Sequence, residues 1–151
     1  MSLNAITHDD IASISCDFWS SMANLPLSSV AVLPEQARNE EGILGRIEIR
    51  GAWAGMVEVR ASRSLARATA VSLLEKPSAQ VTVEECFDAI QEATNIVAGS
   101  FKRLLPSICK MGVPAMSGCS SLSTLPPCSQ LLAVYFISPN GSLAISVCTQ
   151  D

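Results

Sequence analysis

The sequence predicts an α+β domain in which long helices pack on one face of an antiparallel sheet. Three observations carry this expectation. "RIEIR" and "MVEVR" alternate charged with branched apolar residues on either side of Gly51 to Gly55, the pattern of antiparallel strands with one wet face. "LLAVYFIS" and "SLAISVCT" flank "PNG", a two-strand hairpin signal. Helical and strand-like stretches come in runs and not as alternating βαβ units, which argues against a parallel sheet.

Each element follows from its own residues. Over 7–23, Thr7 caps a first helix, acids fill its first turn, and Ile11, Ile14, Phe18 and Met22 recur at helical spacing until Pro26 closes the region. "SSVAVLP" is a short strand and "NEEG" a turn. The glycines of "ILGRIEIRGAWAGMVEVRAS" do not open a helix, so they are not a nucleotide-binding loop. Ser62 to Glu75 forms a second helix, ended by Pro77. Thr82, with Glu85 three residues on, is a capping box that starts a third helix running to Leu105 and stopped by Pro106. The Ser- and Pro-rich stretch from Gly112 to Pro127 is irregular, with one strand near "VPAMS", and the hairpin follows. No internal repeat or linker interrupts the chain, so residues 1–151 read as one domain.

Composition narrows the function. The chain is long enough to bury a core without staples, and its net charge of −4 gives no electrostatic reason to expect nucleic acid or an anionic membrane. The longest apolar run, "LLAVYFI", is far too short to span a bilayer, and no stretch at the start has the make-up of a secretion signal. Cys16, Cys86, Cys109, Cys119, Cys128 and Cys148 form no CxxC pair and His8 is the only histidine, so reduced thiols, no metal site and a cytoplasmic setting are expected.

Wound at roughly 100° per residue, the third helix gathers Val83, Cys86, Phe87, Ile90, Ala93, Val97, Phe101 and Leu104 on a core-facing arc. Asp88, Glu92, Asn95 and Gly99 fall opposite it, within about 40° of one line, and Lys102 continues the stripe. Acids on an outward helix face ordinarily serve solubility, and Glu84 and Glu85 are read that way. Asn and Gly need another reason, because together they cost about 1–1.5 kcal/mol of helix propensity relative to Ala. Gly99 removes the side chain one turn beyond Asn95, which lets a second surface approach the helix closely.

With those residues in view, "DAIQEATNIVAG" resembles the signature helix of the chemotaxis phosphatase family that includes CheC, CheX and the flagellar-switch phosphatases. Asp88, Glu92 and Asn95 match its pattern of Asp or Ser, three residues, Glu, two residues, Asn. One signature helix, with no equivalent in "DFWSSMANLPL", is similar to the CheX-like branch, and the order of elements fits a CheC/CheX-like fold. The family's downstream proline lies farther from its Asn than Pro114 does from Asn95, and Pro114 receives no role.

The resemblance implies hydrolysis of the phosphoaspartate of a CheY-like receiver domain in chemotaxis or a related two-component pathway. Glu92 and Asn95 would be the catalytic pair, with Asn95 orienting the attacking water and Glu92 pairing with a receiver lysine. Asp88 and Gly99 would belong to the partner-binding surface. The divalent metal, Mg, is expected on the receiver, with no cofactor in the chain itself, and a homodimer is compatible with the resemblance. The alternative is a non-catalytic docking module that binds a receiver or flagellar-switch component through the same helix face. A Cys-based hydrolase would need a histidine partner, which the sequence does not place beside any cysteine.

Overall fold

Alternating strands and amphipathic helices produce two layers in the computed structural model, which describes residues 6–105, 108–123 and 129–149. In chain order the elements are α1 (His8–Cys16), a π-helical turn (Asp17–Met22), β1 (Ser28–Val30), α2 (Glu35–Arg38), β2 (Gly42–Gly51) and β3 (Gly55–Ser62). There follow α3 (Arg63–Leu74), a 3-10 turn (Ser78–Gln80), α4 (Val83–Leu104), β4 (Cys109–Met111), β5 (Ala115–Cys119), β6 (Ser129–Ser138) and β7 (Gly141–Thr149). The strands form one antiparallel sheet in the order β1-β6-β7-β3-β2-β4, with β5 pairing β2 farther along its length. The predicted hairpin is β6–β7: Ser138 pairs with Gly141 across Pro139 and Asn140, and Gly141 takes a φ of 141° that favours glycine.

Period-two alternation assigns the sheet faces. Ile43, Ile47 and Ile49 of β2 line up with Val57, Val59 and Ala61 of β3 and with Leu143, Ile145 and Val147 of β7 on the helix-facing side. Helices α1, α3 and α4 cover that side, and α3 packs along α4. The α+β class and the helix-covered antiparallel sheet are therefore as expected.

The opposite face differs from the sequence reading. Glu58 and Arg60, two of the alternating charges read as solvent-facing, are 0% and 2% exposed. A second cluster of Leu33, Ala37, Leu122 and Ala144, with Val30, Cys119, Tyr135 and Ile137 beside it, packs on this side of the fold. The charges are instead compensated within the sheet. Arg46 Nε donates to Glu58 Oε2 at 2.6 Å, and Arg60 Nη1 lies 3.1 Å from Glu58 Oε1. Because Glu58 Oε1 and Arg60 Nε make no hydrogen bond, the second contact is an ion pair by distance alone. Alternation locates the two faces of a strand, but it does not say what covers them.

The first helix also departs from its pattern. Thr7 and Asp10 form a reciprocal capping box, as the acids of the first turn suggest. From Asp17 the winding loosens to i→i+5, with Ala23 N–H donating to the Phe18 carbonyl, and Asn24 then ends the helix at a φ of 54°. The looser turn seats the consecutive residues Phe18 and Trp19 in the core, where Trp19 Nε1 donates to Thr69 Oγ1 at 3.1 Å. It also carries Met22, expected on the core side, outward to 52% exposure.

Smaller differences are local. The segment after β1 holds the short helix α2 before its turn, and β4 precedes the strand expected near "VPAMS". Pro106 and residues 124–128, which include Cys128 and Pro127, lie outside the described residues. Cys16, Cys86, Cys109 and Cys119 are free thiols, but Cys148 is disulfide-bonded, so the expectation that every cysteine is reduced does not hold. Spacing along the chain does not reveal which cysteines a fold brings together.

Helix α4 rests on β2 where the strand lacks a side chain. A Cβ built on Gly45 would overlap Thr94 Oγ1 and come within 3.0 Å of Thr94 Cβ. Thr94 has little freedom to yield, because it is fully buried and its hydroxyl donates to the Ile90 carbonyl at 2.6 Å. Gly45→Ala is therefore expected to destabilise the protein by about 1–3 kcal/mol, the usual penalty of overpacking. Chemical denaturation of the two proteins checks this; an unchanged midpoint would show that α4 is not held at this contact.

Candidate functional site

Helix α4 is fixed at its start by two reciprocal bonds. Glu85 N–H donates to Thr82 Oγ1 at 3.1 Å, and Thr82 N–H donates to Glu85 Oε1 at 2.9 Å. Lys76 Nζ lies 2.7 Å from Glu85 Oε1. The Lys76 contact, together with the Thr82 N–H, holds the Glu85 carboxyl below its ordinary value. Acids in the first turn (Glu84, Glu85) and cations in the last (Lys102, Arg103) both complement the helix dipole.

The buried side of α4 comprises Cys86, Ala89, Ile90, Ala93, Thr94, Val97, Ala98 and Phe101. It is broader than the expected arc on both edges, and the two terminal residues fall out of it. Val83 and Leu104 are 59% and 42% exposed, while Ala89, Thr94 and Ala98 are buried. Thr94 meets Gly45 of the sheet, and Ala89 turns toward α3.

The outward stripe is where the sequence puts it. Asp88 and Glu92 are exposed, and Asn95 and Gly99 are half-buried. Among the described residues, the side chains of Asp88, Glu92 and Asn95 make no hydrogen bond or ion pair. Nothing lies within 4 Å of a Cβ built on Gly99, so the helix surface is open one turn beyond Asn95. The stripe is also polarised along the axis, with Asp88 and Glu92 toward its start and Lys102 and Arg103 toward its end.

Two open depressions flank it. One, of about 340 Å³, lies between α3, α4 and the π-helical turn and is bordered by Asp88 and Glu92. The other, of about 570 Å³, begins at Gly99 and Lys102 and reaches Ile108 and Met111. The sequence reading missed the first depression. Its wall includes Met22, whose position depends on the π-helical turn, and no residue pattern announces that turn.

The arrangement offers donors and acceptors on a rigid element. The Asn95 carboxamide can accept one hydrogen bond and donate another, and the neighbouring carboxylates can receive cations. Cysteine chemistry has no comparable support. Burial pushes the Cys16, Cys86 and Cys119 thiols up, away from the reactive thiolate, and His8 is exposed at the start of α1. Among the described residues, no group of three His, Cys, Asp or Glu side chains is placed to hold a metal, and no helix is long and apolar enough to cross a membrane.

Comparison with known proteins bears on this helix face. The profile of the chemotaxis phosphatase CheX family matches residues 43–136, which include all of α4. The fold is similar to that of a chemotaxis protein CheX from Vibrio vulnificus, at 23% identity over 95% of each chain and a TM-score of 0.77. A CheC-like superfamily protein from Shewanella sp. PV-4 gives the same TM-score of 0.77 at 19% identity, with both chains wholly covered. CheX from Borrelia burgdorferi, solved as a CheX–CheY–BeF3–Mg complex, is 14% identical over 95% of this chain and 97% of that one, with a TM-score of 0.67. The comparison with curated proteins found no match.

The open space at Gly99 yields a stability test. Gly99→Ala meets no neighbour and removes backbone freedom from the unfolded chain, so it should stabilise the protein by about 0.5–1 kcal/mol. A higher melting temperature is the expected result. A lower one would mean that glycine is required at this position by the fold itself.

Proposed function

The chain belongs to the chemotaxis phosphatase CheX family, and on that premise we propose that it hydrolyses the phosphoaspartate of a CheY-like receiver domain, using the outward face of α4. The observation that carries this reading is the unpartnered Asn95 on a helix side left open at Gly99. An acyl phosphate is already an activated bond, and the receiver's own divalent metal, Mg in this reading, neutralises the phosphoryl charge. What remains is to place a water in line with phosphorus, which is a positioning task.

Asn95 suits that task. Its carboxamide oxygen accepts a hydrogen bond from the water and its NH2 donates to a neighbouring oxygen, which fixes the water's direction. An amide does not take up a proton at neutral pH, so Asn95 orients the water and does not act as a base. Glu92, one turn earlier, pairs with a receiver lysine and sets the register of docking. Asp88 adds a secondary contact at the edge, and Gly99 lets the receiver backbone come close. The CheX of the Borrelia complex was solved together with CheY, which supports a receiver as the kind of partner. A cytoplasmic setting follows from that partner, since receivers are phosphorylated there.

Two substitutions separate the roles. Asn95→Ala should lower stimulated dephosphorylation by 10²-fold or more, a typical loss for a positioning group, while receiver binding is largely kept. Glu92→Lys should weaken the complex more than Glu92→Ala, because it would face the receiver lysine, and wild-type association should fall as salt rises. Receiver-phosphate decay and titration of the complex measure both. Near-normal activity in Asn95→Ala would remove the catalytic assignment. A complex indifferent to both Glu92 variants and to salt would remove Glu92 from the interface.

A further inference from the structure

We infer that the depression beside Asp88 and Glu92 is a second anchoring point for the receiver, taking one apolar side chain that stands next to the lysine facing Glu92. The inference rests on the proposed reading of the α4 face as the receiver's dock and adds a site to it.

The depression combines an apolar interior with an acidic rim. Ala70, Leu73 and Ala89 line it, and Met22 and Leu74 form its walls. Those two walls are 52% and 46% exposed, a placement that leaves large apolar surface in water. Three acids border it, Glu85, Asp88 and Glu92, and the chain itself neutralises only Glu85. Lys76 is committed to Glu85, whereas Asp88 and Glu92 have no partner among the described residues. Four residues apart on one helix, they also repel each other.

An apolar interior under two uncompensated carboxylates selects a ligand with an apolar body and an adjacent cation. A negatively charged ligand would be repelled, and an uncharged apolar one would leave the acids unpaired. The volume of about 340 Å³ has room for one side chain, up to an aromatic ring. Continuity with α4 identifies the owner of that side chain. Asp88 and Glu92 belong both to the rim and to the outward stripe, so a receiver whose lysine reaches Glu92 must also pass over the depression. A buried apolar anchor next to a charge pair is the usual make-up of an interface hot spot.

The test uses beryllofluoride-activated, Mg-loaded receiver domains from the same organism, titrated against the full chain. The proteins are wild type, Met22→Ser/Leu74→Ser, Leu74→Ser, Leu74→Met and Glu92→Lys. Both groove positions are well exposed, so melting temperatures should stay close to wild type; the single Leu74→Ser carries the test should the double variant unfold. The serine variants should raise the receiver Kd, by tenfold or more for the double variant, and Leu74→Met should restore near-normal binding. Equal Kd for wild type and the folded serine variants, with Glu92→Lys still weakened, would overturn the anchor and leave the α4 reading standing. No binding of any activated receiver to the wild type would overturn both.

Discussion

The seating of Thr94 over Gly45 fixes where α4 lies, and through it the position of everything on the helix's outer face. The contact depends on glycine in the strand and a small side chain on the helix, so it sets a short separation with little tolerance. Thr94 is the immediate neighbour of Asn95 in sequence. The residue that holds the helix down and the residue that points outward are therefore adjacent on one rigid turn. Positioning chemistry depends on such rigidity, because an error of about 1 Å in a water's placement can lower a rate 10²-fold.

Much of this was legible in the sequence because each signal was physical and local. The capping box at Thr82 and Glu85 marks the start of α4, and its amphipathic spacing separates the two faces. The presence of Asn and Gly in an outward stripe pointed to a surface shaped by something other than helix stability. The unread parts depend on tertiary partners. Glu58 and Arg60 alternate as solvent-facing residues do, yet they are buried, with Glu58 paired to Arg46 on the neighbouring strand and to Arg60 along its own. Met22 falls on the core side of an ideal helix, and only the π-helical turn moves it out. The disulfide at Cys148 likewise has no signature in spacing.

The two ends of the outward stripe differ in charge, and that difference gives a docking surface a direction. Acids near Asp88 and Glu92 favour a cation there, and Lys102 and Arg103 favour acidic groups beyond Gly99. In the proposed reading, a receiver laid along this helix would have its lysine at Glu92, its phosphorylation site over Asn95 and further acidic groups toward Lys102. Complementary potentials of this kind select orientation and speed encounter more than they add affinity.

Turnover tests the central claim most directly, because a docking module and a phosphatase can bind alike. Phosphorylated receiver is incubated with the chain at a small fraction of its concentration, and the remaining phosphoaspartate is followed over time. The account predicts accelerated decay in which each molecule of the chain clears many molecules of phosphoreceiver. Decay no faster than that of the receiver alone, under conditions where the two demonstrably bind, would contradict it and leave the α4 face as a docking surface without catalysis.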